Sequence, residues 1–420
     1  MNTWSFSWHG LVTVVGLELR QRMRSRRLIW ALASWFVVIG GITSLVIYAS
    51  SRLFGLSYTE DPTNSVTSEY SPGPLAFGLI VFFIMGMGLI IAPTFTATSI
   101  NGDRGAGTLA TLQATRLSAL EIAAGKLVAA WLASLVFLVV ALPFLAWAMV
   151  LGQISAWQVI VCFGVVFIEV AVVCAIGLGW SALISRTAGS VVLTYLSVVA
   201  LTIISTMLLG LLTPLVTEER ATVAVWGLSD AEMATYNDAM DEYWSKNPDG
   251  EAAEVPAPPV DKCTWHQEVE TRYRVDRIWW ISAINPFVIV ADAAPLPADA
   301  YDDLSTYVGR SADPLAAIRY GVRSMALPPQ TERDDCLQLY GWTGAYNVFT
   351  DDEGNVTVTT NDGTPVNVTT PVKRRPVTVE SPLWPWGMGA NLLIGAGFGF
   401  VAVRRLRIPY GPLPKGTRVA

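Results

Sequence analysis

Histidine is almost absent from this chain: His9 and His266 are the only two among 420 residues, and they stand isolated. Cysteine is scarce as well, with four residues, none at the short paired spacings that hold zinc, so no metal site is expected. The glycine-rich stretch GDRGAGT at 102–108 lacks the Gly-Lys-Ser/Thr ending of a phosphate-cradling loop and does not follow a strand. No HExxH and no Ser/His/Asp set stands out, so neither a catalytic residue nor a cofactor site is expected in this chain. Any energy-driven step must then draw on an ion gradient or on another polypeptide. Charge is sparse too, at 15%, against 52% hydrophobic residues and a mean hydropathy of +0.44. That balance excludes an ordinary soluble globule, and no nucleic-acid partner is expected.

What fills the chain instead is long apolar runs. Crossing ~30 Å of hydrocarbon takes ~20 mostly apolar residues, and six stretches qualify, near 28–50, 75–99, 127–151, 157–184, 189–213 and 383–403. Pro93 and Pro143 fall inside two of them, which membrane helices tolerate. The first run is too long for a removable signal and lacks a cleavage site, so it reads as a retained helix. Arginines set the orientation. Arg20, Arg22, Arg24, Arg26 and Arg27 precede the first run, and Arg404, Arg405 and Arg407 follow the last. Arg104, Arg116 and Lys126 mark the loop after the second run, and Arg186 the turn after the fourth, whereas the opposite side has Arg52 between the first and second runs and no basic residue between the third and fourth. This bias predicts a multi-pass membrane protein with both termini cytoplasmic. Residues 1–27, with Trp4, Phe6, Trp8, Leu11, Val12, Val15 and Leu19 ahead of the basic RQRMRSRR, read as an interfacial elbow helix against membrane lipids.

The expected division is then 1–27 elbow, 28–213 five spans, 214–382 an extracytoplasmic α+β domain, 383–407 the sixth span and 408–420 a cytoplasmic tail. Residues 214–382 carry 27 acidic and 13 basic side chains, so the overall charge of −6 conceals an acidic region and a basic remainder. Cys263 and Cys336 fall in this region, an oxidising setting where a bridge between them is expected. Cys162 and Cys174 lie in the fourth span and read as small buried apolar residues. Ser229 and Glu232 form a capping-box pattern ahead of an amphipathic helix. A proline-rich linker follows at 247–260, a second helix is expected over about 314–325, and VTVTT, NDG and PVNVTT predict a hairpin around Asp362-Gly363. Asn355 and Asn367 head glycosylation sequons. The apolar, proline-broken stretch 278–296 suits either a helix dipping into the outer leaflet or a core helix of the acidic region.

Two features bear on function. Glu169 lies in the middle of the fourth span, where a carboxylate is costly. It reads either as part of a polar passage or as a group hydrogen-bonded to small polar residues of neighbouring helices, or held protonated. The second feature is the polar loop from Ile100 to Lys126. Its Asp103-Arg104, Gly107-Thr108-Leu109, Leu112, Thr115-Arg116-Leu117-Ser118 and Gly125-Lys126 are similar to the first cytoplasmic loop of ABC-2 permeases, the membrane subunits of type-2 ABC exporters, with Arg116 standing where proline is usual. Asn285-Pro286-Phe287 and the closing WPWGMGANLLIGAGFGFVAVRRLR resemble actinobacterial members, which implies a bacterial cytoplasmic membrane. The resemblance covers roughly 1–213 and 383–407. It implies an α-helical polytopic protein with an elbow helix, six spans and a coupling helix near 103–118, in which Asp103, Arg104, Gly107, Thr108, Leu109 and Leu112 meet a separate ABC ATPase that binds ATP and Mg. It also implies a second permease subunit, identical or related, and outward movement of an amphipathic substrate: a drug, peptide, lipid or glycan. The alternative is a membrane-anchored sensing or binding protein that uses the acidic region as its receptor.

Overall fold

A computed structural model describes residues 6–24, 26–53, 73–113, 115, 117–151, 154–246, 256, 259–296, 313–342, 346–350, 356–360, 364–366 and 382–407. Most of the proline-rich linker, the Asp362-Gly363 turn, both sequon asparagines and the tail 408–420 lie outside the described residues.

The chain begins with α1 (Trp8–Met23) and α2 (Arg26–Leu53), followed by α3 (Gly73–Thr96), α4 (Ser99–Gly105), α5 (Thr108–Gln113), α6 (Ala119–Val150) and α7 (Ala156–Leu183). Next come α8 (Thr187–Val199) and α9 (Ser205–Leu212), joined through one π-helical turn at Ala200–Ile204. Among the described residues, six helices are long and apolar enough to cross a membrane: Leu28–Ala49, Gly73–Gly105, Ala119–Val150, Ala156–Leu183, Thr187–Val216 and Trp384–Arg405. They match the six apolar runs, with one shift. The third begins at Ala119, eight residues before its apolar run, because a capping box opens it: the Ser118 hydroxyl accepts from the Glu121 N–H and the Glu121 carboxylate accepts from the Ser118 N–H.

Helices α3, α6 and α7 form the centre, burying Phe77, Ile80, Met85, Leu138 and Val170 in one apolar cluster. The last helix, α15 (Trp384–Arg405), packs along α7. Helix α2 lies outermost and leaves Ile29, Trp30, Val37 and Leu45 bare, as α8 and α9 leave Val192, Met207 and Leu211. Such surfaces need lipid or another chain as solvent. Cys162 and Cys174 are free thiols buried within α7.

Between α9 and α15 come β1 (Thr217–Gly227), α10 (Asp230–Lys246), β2 (Thr264–Tyr273), α11 (Trp280–Ala283), α12 (Pro286–Ala293), α13 (Pro314–Ala326), β3 (Glu332–Asp334), α14 (Asp335–Trp342), β4 (Tyr346–Thr350), β5 (Val356–Thr360) and β6 (Pro365–Val366). One sheet has the order β2-β1-β3, with β1 antiparallel to β2 and parallel to β3; the other has the order β4-β5-β6. The expected hairpin is β5–β6, with Val358 opposite Val366, and β4 adds a third strand beside it. The Ser229–Glu232 capping box opens α10. That helix lays Met233, Tyr236 and Met240 over Leu228, Cys263, Cys336 and Leu339. Cys263 and Cys336 are bridged across 73 positions of sequence, tying the entry to β2 to α14. In the chain-entropy account a loop of that length limits the unfolded chain by ~4–5 kcal/mol.

The stretch 278–296 belongs to the helical bundle and not to the α+β core. Ile289, Val290 and Ala291 of α12 join the central apolar cluster, where α12 packs against α3, α7 and α15. Asn285 holds it in place. Its side-chain oxygen caps α12 at the Phe287 N–H, and its Nδ2 donates to the Thr202 carbonyl at 2.8 Å, inside the π-helical turn that loosens the normal ladder there. The helix expected over 314–325 is present as α13, but it too lies against α12 and α3.

Asp292, fully buried, locks this assembly. One oxygen accepts from Arg323 Nε at 2.6 Å, and the other accepts from the N–H groups of Leu383 and Trp384 at the start of α15, at 2.7 and 2.8 Å. Arg319 donates to the carbonyls of Asp292 and Ala294.

Candidate functional site: the junction of α1, α4, α5 and α6

The polar loop is not one helix from 103 to 118. Asp103 and Arg104 form the end of α4, the chain turns at Ala106–Gly107, and among the described residues up to Ser118 only Thr108–Gln113 is helical beyond it. Gly107 sits at φ 72°, the left-handed region where a Cβ meets the following carbonyl. That turn is the physical reason a single helix is broken into two.

Both pieces are fastened to the spans. At the start of α4 the Ser181 hydroxyl of α7 accepts from the N–H groups of Ile100 and Asn101, at 2.9 and 3.2 Å. The Asn101 side chain donates to the Ile184 carbonyl just beyond α7. Leu109 of α5 is only 3% exposed and lies in a cluster with Ile100, Ile122, Leu178, Val403 and Leu406, from α4, α6, α7 and the end of α15. Gln113 closes α5 by donating to the Leu406 carbonyl at 3.0 Å. Asp103 and Leu109 therefore turn inward. Gly105, Ala106, Gly107 and Thr108 are exposed, with Arg104 and Leu112 half-buried beside them.

At the centre of the junction Lys126 is 1% exposed, and its ammonium donates to Glu18 of α1 and Asp103 of α4, both at 2.5 Å. Arg22 pairs with the same Glu18 at 3.3 Å and lies over the Phe95 ring, 5.4 Å from its centroid. Two cations and two carboxylates thus meet where three elements converge. Helix α1 is also pinned at its start, since the Ser7 N–H donates to Glu121 at 2.6 Å. Gly125 allows the approach: a Cβ there would stand 2.6 Å from Val14 of α1.

Burial alone would raise the Glu18 carboxyl, but Lys126 and then Arg22 overcome it and hold the group below its ordinary value of 4.5. A depressed carboxylate contributes its full stabilisation above its unfolded value and loses it as pH falls through the folded one. The junction is therefore expected to hold at neutral pH and to loosen in acid. Thermal unfolding in detergent should drop as pH falls from about 5 to about 3, and Glu18→Gln should flatten that slope.

Glu169 of α7 is fully buried and meets Asn391 of α15, whose Nδ2 donates to both carboxylate oxygens, at 3.3 and 3.1 Å, and to the Ile284 carbonyl. This matches the reading of a carboxylate hydrogen-bonded to a polar residue of a neighbouring helix. Asn391, Asp292, Glu18 and the Ser118–Glu121 cap all escaped sequence reasoning. Ser118-x-x-Glu121 was visible as a capping pattern, and Asn391 as an amide inside an apolar run.

Six helices long and apolar enough to cross a membrane, with a fixed polar loop at one end, define a multi-pass membrane protein. Residues 12–241, more than half of the chain, match the family described as ABC-2 family transporter protein, and the chain belongs to that family. It is therefore the transmembrane subunit of an ABC transporter, and membership implies partnership with an ABC ATPase subunit. The match ends within α10, so the later elements and α15 lie beyond it. No curated protein matches the chain.

Proposed function

We propose that the chain is an exporter subunit in which α4 and α5 are the coupling element, their exposed turn seated on a separate ATPase that binds ATP and Mg. The observation that carries this reading is the fastening of the loop at three points: to α6 through Lys126, to α7 through Ser181, and to the end of α15 through Gln113. A push on the Gly105–Thr108 turn would move three spans as a rigid body and would not be absorbed by a slack loop. In this arrangement both termini are cytoplasmic and the α+β elements lie outside. Two permease subunits, identical or related, enclose a path for an amphipathic substrate moving outward.

Among the residues expected to couple, Arg104, Gly107 and Thr108 take the outward role. Asp103 and Leu109 instead hold the element to its own spans. Arg104→Ala is expected to lower transport by about tenfold or more, the equivalent of one charge-assisted contact of ~1.5–3 kcal/mol, while insertion and assembly stay normal. ATP hydrolysis and export are to be measured together in proteoliposomes. If the variant exports at the parental rate per ATP, the turn is not the coupling surface. A cysteine at Ala106 should resist an impermeant reagent added outside intact cells; ready labelling would reverse the orientation.

A further inference from the structure

A groove of about 590 Å³ runs between α2 on one side and α3 and α6 on the other, lined by Leu28, Trp35, Val38, Phe83, Ile91 and Phe137, with Arg22 at one end. Its floor is firm: the Trp35 indole donates to the Phe137 carbonyl at 2.9 Å and stacks on Phe83 at 5.1 Å between centroids. Its length follows from helix geometry. Leu28 to Val38 on α2 spans ~15 Å at 1.5 Å per residue, and Phe83 to Phe95 on α3 spans ~18 Å. One leaflet of a bilayer has a hydrocarbon depth of half of ~30 Å. The groove is therefore as deep as a single leaflet, and it begins at the α1 end where the headgroups lie.

Water does not suit this space, because a bound water needs two to four polar partners and the walls are apolar along most of their length. The end group is different. Arg22 turns one nitrogen to Glu18, but its Nη1 is buried and has no hydrogen-bond partner among the described residues. The guanidinium is 15% exposed at the end of an apolar slot, and phosphate oxygens fit its fork once the side chain turns Nη1 toward the groove. Arg24 and Arg26 stand exposed next in the chain, so the rim as a whole favours an anionic headgroup.

From these features we infer that the groove holds one acyl chain of an anionic phospholipid of the adjoining leaflet, with its phosphate on Arg22. The lipid completes the contact of α2 with the bundle, which protein side chains leave open, and it sits beside the Glu18–Lys126–Asp103 junction. It is distinct from any ligand carried along the transport path.

The test is native mass spectrometry of the full chain released from detergent with equimolar phosphatidylglycerol and phosphatidylcholine of identical chains. The parent protein should retain one phosphatidylglycerol in preference to phosphatidylcholine by ~tenfold, the worth of one charge-assisted contact. Arg22→Gln should remove that preference while the acyl chain still binds, and Ala31→Phe, which projects a ring into the groove, should remove the retained lipid of either kind. Equal retention of the two lipids by the parent protein, or parental preference in Arg22→Gln, overturns the assignment. Because Arg22→Gln also touches the junction, a second measurement uses the parent protein alone. Phosphatidylglycerol carrying a photoreactive group along its chain should crosslink to α2 and α3 at the groove, and adducts confined to the outer faces of α2 and α8 would refute the site.

Discussion

Lys126→Met is expected to destabilise the protein by about 3–5 kcal/mol, the range found when one member of a buried ion pair is removed. The loss does not come mainly from the attraction that disappears. It comes from Glu18 and Asp103, which keep their charges in a site that is 12% and 30% exposed and face each other with no cation between them. Arg22 remains on Glu18 and tempers the effect, placing it toward the lower end. A triple variant, Glu18→Gln with Asp103→Asn and Lys126→Met, should recover part of the stability, because Arg22, 15% exposed, is then the one charge of the junction left without its carboxylate. Denaturant titration in detergent, followed by tryptophan fluorescence, measures both. Parental stability in the single variant would mean that the junction contributes nothing net, and a triple variant no better than the single would mean that the fault lies in packing around Lys126.

Asp292→Ala should have an effect of similar size for a different reason. Arg323, 5% exposed, loses the carboxylate that neutralises it, again worth about 3–5 kcal/mol. The start of α15 also loses an acceptor for two N–H groups, for which the loss of a helix cap gives a scale of ~1 kcal/mol. Asp292→Asn keeps the shape and one acceptor, so it should lie between the parent and the alanine variant. Hydrogen exchange of the α12 and α13 amides offers a local readout: faster exchange is expected if the two helices separate. If exchange and thermal unfolding are unchanged in Asp292→Ala, the buried carboxylate does not hold these helices together.

The sequence revealed the parts of this protein that obey a local rule. Six spans are legible because an apolar run of twenty residues has few other uses, and α10, α13 and the β5–β6 hairpin are legible because capping and alternation are local signals. The start of α6 was missed because Lys126 looks like the edge of a loop. Its burial becomes acceptable only through carboxylates 23 and 108 positions away, which no window of sequence connects. The same holds for 278–296. Its apolar length suits a helix in either setting, and the choice is made by Asn285 reaching an irregular turn in α9's approach and by Asp292 reaching α15. The polar loop between spans two and three is legible as a loop, but its division depends on one backbone angle, at Gly107. Once the chain turns there, the side chains on either side face different ways, and residues expected to share one surface do not.

The state of the four cysteines gives the protein a quiet background for spectroscopy. Two are consumed in the bridge and two are enclosed within α7, so a thiol introduced at an exposed position such as Ala106 would be the accessible reporter in an otherwise natural chain. A spin label or fluorophore could then follow the α4–α5 turn through a cycle of nucleotide binding without a cysteine-free parent, and the Cys263–Cys336 bridge would remain intact throughout.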